Sequence, residues 1–106
     1  MKKLFSSLAI LIMSSSAMAN LSLAKNGKAV VCYADDNQSW VINAKRTAIK
    51  YTVEGESLGP KKIVEIKSDR NTFVSYLTSE GTLTLSNEGA FYQFDGETEA
   101  GQIECK

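Results

Sequence analysis

Beyond residue 28, apolar and polar residues alternate with a period of two, and this pattern constrains the fold more than any other feature of the chain. Ile49, Tyr51 and Val53 alternate with Lys50, Thr52 and Glu54, and Val30, Cys32 and Ala34 share one face of an earlier segment. Val64 and Ile66 alternate with Glu65 and Lys67, Leu83 and Leu85 with threonines and Ser86, and Ile103 and Cys105 finish the series. A period of two places every second side chain on one face of a strand. Turn signals fall between the runs: Asp35-Asp36-Asn37, Ser68-Asp69-Arg70-Asn71, Ser79-Glu80-Gly81 and Asn87-Glu88-Gly89. Leu58-Gly59-Pro60 reads as a longer irregular joint, because proline cannot donate to a strand ladder. Residues 39–50 also fit helical spacing, and two strands bent near Lys45-Arg46 are the preferred alternative. The expectation is an all-β domain, a small antiparallel barrel or sandwich of about 7–8 short strands, occupying residues 28–106.

The start of the chain has a different character. Met1-Lys2-Lys3 is basic, Leu4 to Met13 is largely apolar, and Ala17-Met18-Ala19 fits the small-residue pattern of a cleavage site. This is the layout of a secretory signal peptide over residues 1–19, followed by a short segment at 20–27. The apolar run is shorter than the roughly 18 residues a membrane-spanning helix requires, so no stable membrane anchor is expected. Export to the periplasm or the extracellular medium follows, as a soluble protein cut near Ala19-Asn20.

Removing the leader leaves 87 of the 106 residues, with ten basic and twelve acidic side chains and no histidine. So small a chain buries a modest share of its surface and often needs a covalent staple. Cys32 and Cys105 supply one: an even pair in an oxidising compartment reads as a disulfide, and both point inward by alternation. A redox pair usually has the C-x-x-C spacing, and two thiolates without histidine do not complete a zinc site. The charge balance gives no basis for nucleic-acid binding, which needs surplus lysine and arginine.

Catalysis finds little to work with. No imidazole exists to activate a serine, no G-x-S-x-G elbow is present, and the acidic stretches at Glu54/Glu56 and Asp95/Glu97/Glu99 sit beside glycines, as solvated turns do. Neither Asp35-Asp36-Asn37 nor Asp95 to Glu99 has the ligand spacing of a calcium loop, so neither a metal nor a cofactor is expected. The aromatics say more. Trp40 and Tyr51 fit a core, whereas alternation sends Phe91 to the face opposite Tyr92 and Phe94, leaving an aromatic group outward beside the acidic loop.

Together these features resemble the periplasmic and membrane-bound inhibitors of c-type lysozyme. Val30-Val31-Cys32-Tyr33 and Ile103-Glu104-Cys105-Lys106 match that family's cysteines in the first strand and near the C-terminus. Ser86, Gly89 and Tyr92 resemble its S-x-x-G-x-x-Y segment, and residues 92–100 echo its later K-G-x-x-A segment. Glu88 stands where the family has serine, and Asp95 where it has lysine. The resemblance implies a disulfide-closed β-barrel that binds a hydrolase, with contacts from Ser86, Glu88, Gly89, Phe91, Tyr92, Asp95, Glu97 and Glu99. The resulting expectation is a non-enzymatic binding protein whose partner is a hydrolase. The competing expectation is a structural or accessory envelope protein with no inhibitory activity. The oligomeric state is left open.

Overall fold

A computed structural model describes residues 20–35, 37–69 and 72–106; the leader at 1–19 lies outside them. Nine strands follow in chain order: β1 Val30–Ala34, β2 Gln38–Ile42, β3 Ala48–Val53, β4 Glu56–Lys62, β5 Glu65–Asp69, β6 Phe73–Leu77, β7 Gly81–Ser86, β8 Gly89–Phe94 and β9 Gly101–Cys105. All neighbours are antiparallel, and the sheet order is β4-β3-β2-β1-β9-β8-β7-β6-β5. The sheet curls into a half-barrel. Among the described residues, no helix is long and apolar enough to cross a membrane.

The all-β expectation holds, and the stretch around Leu58-Gly59-Pro60, expected as an irregular joint, is the strand β4. It forms an edge strand, where proline's missing N–H is tolerated, and its pairing with β3 shifts register between Lys50 and Thr52. The 39–50 segment resolves into two strands. Asn43 turns the chain between them, its Oδ1 accepting from the Thr47 amide at 2.7 Å and the Ala48 amide at 3.1 Å. Glu54 and Gly55 both have positive φ, 52° and 83°. Two such residues between paired strands make the tight turn whose twist suits a hairpin.

The sheet has a seam where its first and last strands meet. β1 and β2 align five residue pairs, but β1 and β9 align two, Cys32 with Cys105 and Tyr33 with Glu104. Reciprocal bonds between Val31 and Lys106 extend the seam by one step. The Cys32–Cys105 disulfide crosses it, with 3.9 Å between Cα atoms. The cross-link therefore joins the β1–β4 half to the β5–β9 half where backbone pairing is shortest.

At the other extreme of the sheet, β4 and β5 follow one another in the chain with two residues between them. The Ile63 amide donates to the Thr47 carbonyl and the Val64 amide to the Leu77 carbonyl. The chain thus leaves one half of the sheet and joins the other at this point. Val30, Cys32, Trp40, Ile42, Leu83 and Leu85 form the centre of the core.

Residues 20–25 are helical and are tied down by Arg46. Its guanidinium donates to the carbonyls of Leu23 at 2.8 Å, Lys28 at 2.6 Å and Asn43 at 2.9 Å. One side chain thereby links the N-terminal segment to the β2–β3 turn through charge-assisted bonds, stronger than neutral ones.

Candidate binding site

Four aromatic rings meet inside the curl. Trp40 on β2 stacks on Tyr51 of β3 at 5.3 Å between centroids, as cross-strand partners do. Trp40 also lies 4.9 Å from Tyr92 of β8, although β1 and β9 stand between their strands in the sheet. Three strand spacings span roughly 14 Å in a flat sheet, so this contact exists only because the sheet curls. Phe94 completes the group edge-on to both tyrosines, at 4.8 Å from Tyr92 and 5.5 Å from Tyr51.

Three of these rings reach an opening. Between β4 and the β6–β7 turn lies a pocket of about 190 Å³ lined by Ile49, Tyr51, Leu58, Gly59, Lys61, Thr78, Glu80, Tyr92 and Phe94. It occupies the gap left because β4 and the β6–β7 turn do not close the curl. Lys61 Nζ and Glu80 bridge that gap at 3.5 Å, both half in solvent. Such an exposed pair contributes little stability and can part without a large penalty.

The polar groups here are suited to hydrogen bonding. Burial pushes the Tyr92 phenol above the ordinary tyrosine value of 10.0, with the Thr78 hydroxyl opposing and Glu80 reinforcing the rise. Burial raises Tyr51 as well. Both phenols are therefore neutral donors at physiological pH. Tyr51 Oη uses its proton on Gln38 Oε1 at 3.0 Å. Trp40 Nε1, just behind the pocket, is buried beside the Tyr92 phenol with no hydrogen bond of good geometry.

The residues expected from sequence to form a contact surface divide between the two ends of β8. Ser86 is buried in the β7–β8 turn, its Oγ donating to the Gly89 carbonyl at 2.8 Å and accepting from the Glu88 amide at 3.1 Å. Its hydroxyl holds the hairpin. Glu88 is exposed on the same turn, and Gly89 adopts a φ of 135°. Asp95, Glu97 and Glu99 are exposed at the opposite end. Six residue-to-residue steps of strand separate Gly89 from Asp95, about 20 Å at 3.3 Å each, so the two groups do not form one small patch. Phe91 lies half-buried on the outer face opposite Gln102, while Tyr92 is 5% exposed and points inward.

Of these residues, Tyr92 alone lines the pocket. Asp95 sits next to it, its amide donating to the Glu80 carbonyl at 2.9 Å. Leu58, Lys61, Thr78 and Glu80 were not legible as site residues. The one local sign was Leu58, a large apolar residue beside Gly-Pro, and it is 54% exposed at the rim. Among the described residues, no group of three or more Cys, Asp or Glu side chains is placed to hold a metal ion. No protein-family model, curated protein or solved structure matches this chain.

Proposed function

We propose that this chain is a small exported binding protein without catalytic chemistry, which seats one aromatic or large apolar side chain of a protein partner in the pocket between β4 and the β6–β7 turn. The observation that carries this reading is the convergence of Tyr51, Tyr92 and Phe94 on an open recess of about 190 Å³. A cavity of about 150 Å³ accommodates benzene, so the recess suits one ring. Aromatic anchors filling pockets dominate the energetics of many interfaces, and two neutral phenols and a threonine hydroxyl give the walls orienting polarity. Neutral phenols are poor material for a general base at neutral pH, which favours binding over chemistry.

The resemblance to the lysozyme inhibitors makes a secreted hydrolase the partner proposed. A disulfide running from the first to the last strand of a small antiparallel sheet supports that narrower reading.

Titrating c-type lysozyme with the chain from Asn20 onward tests it. Turnover is expected to fall near stoichiometric concentration, and Leu58→Asp, at an exposed rim position, is expected to weaken inhibition by about tenfold or more. No effect on c-type, g-type or other muramidases would reject the hydrolase. Undiminished inhibition by Leu58→Asp would reject the pocket.

A further inference from the structure

The two outer strands of the sheet are guarded very differently. β4 carries Pro60, which has no N–H to offer, a register shift against β3, and a left-handed Gly59 with φ of 81°. Such features blunt an edge against further pairing. β5 has none of them. It is regular, its five residues Glu65 to Asp69 pair one for one with β6, and all five are exposed.

Two large apolar side chains are exposed at this edge. Ile66 stands opposite the buried Tyr76, so it lies on the concave face. Val64 is 67% exposed and Ile66 48%. On the convex face the strand displays Glu65, Lys67 and Asp69 in alternating sign.

We infer that β5 pairs antiparallel with the β5 strand of a second copy of this chain, in the register centred on Ile66. In that register Ile66 faces its counterpart on the concave side. On the convex side Glu65 faces the second copy's Lys67, and Lys67 faces its Glu65. Directly opposed charges of opposite sign stabilise an antiparallel pair, and like charges destabilise it. The neighbouring registers on the same face fail this criterion. Centring on Glu65 opposes that carboxylate to itself, and centring on Lys67 opposes two lysines and sets Glu65 against Asp69. The two-fold arrangement is closed, so it ends at a dimer rather than a fibre. Five residues of edge make a small contact, below the roughly 1,000 Å² of a stable interface, so the dimer is a weak, concentration-dependent one. The pairing is independent of the pocket and of any partner bound there.

Sedimentation of the chain from Asn20 onward, from micromolar to millimolar concentration, tests the inference. Dimer is expected at the upper end of the range. Lys67→Glu and Glu65→Lys each set like charges opposite one another twice, and each is expected to raise the dissociation constant by about tenfold or more. The double variant Glu65→Lys/Lys67→Glu restores both attractions and is expected to recover the dimer. These positions are solvent-exposed, so far-UV circular dichroism should remain that of the parent. A chain monomeric throughout, a Lys67→Glu variant that dimerises like the parent, or a double variant that stays monomeric would each overturn the assignment.

Discussion

Gly81 is closely packed against β8 beside the pocket. A Cβ added there would lie 2.5 Å from the Gln93 carbonyl oxygen and 2.6 Å from Tyr92 Oη. The first of these is backbone and yields poorly, so β7 and β8 must separate and the Tyr92 ring must move. Gly81→Ala is accordingly expected to destabilise the fold by about 1–3 kcal/mol, the usual range for overpacking, read as a lower midpoint in urea unfolding. An unchanged midpoint would contradict the packing described. The sequence carries the placement of Phe91 on the face opposite Tyr92 and Phe94, since parity along a strand is a local property, and the structure shows that Tyr92 is on the inner one. It does not carry the role of Gly81, because its neighbours are cross-strand residues on β8. Ser86 illustrates the converse: a hydroxyl that looks available in sequence is occupied by its own turn.

Among the strands, the β1–β9 seam decides whether the two halves of the sheet stay in register. Its backbone pairing is short, and the contact between Trp40 and Tyr92 spans it. Removing the disulfide with Cys32→Ser/Cys105→Ser frees a long loop in the unfolded chain, a loss of roughly 4 kcal/mol on the chain-entropy account. The expected result is a correspondingly lower denaturation midpoint, reproduced in the parent by reductant. Two titratable thiols in the folded, unreduced protein would contradict the cross-link. Both cysteines were legible as a pair because alternation and an even count agree. β4 was not, because Gly59 and Pro60 mark turns and edge strands alike, and only the pairing partner tells them apart. For β5 the alternation gives the correct face for Ile66, yet Ile66 stays exposed, and the buried residue before the strand is Ile63. Periodicity reports which side faces inward, and says nothing of whether another layer covers it.

At the scale of the whole molecule, the recess is a consequence of incomplete closure. The sheet curls far enough to bring β2 and β3 against β8, but not far enough for β4 to seal against the β6–β7 turn. The pocket's walls therefore come from β3, β4, the β6–β7 turn and β8, segments distant in sequence, which is why no local motif announces it. Part of the core, by contrast, follows from alternation: Val30, Cys32, Ile49, Leu83, Leu85 and Ile103 are buried where the period of two places them. The central claim is that this recess accepts an aromatic side chain, and titration with N-acetyl-phenylalaninamide followed by amide chemical shifts tests it most directly. The account predicts saturable changes at Ile49, Leu58, Thr78 and Phe94, with Glu88 in the β7–β8 turn unaffected. No change at the pocket up to the solubility limit, or changes spread evenly over the surface, would contradict it.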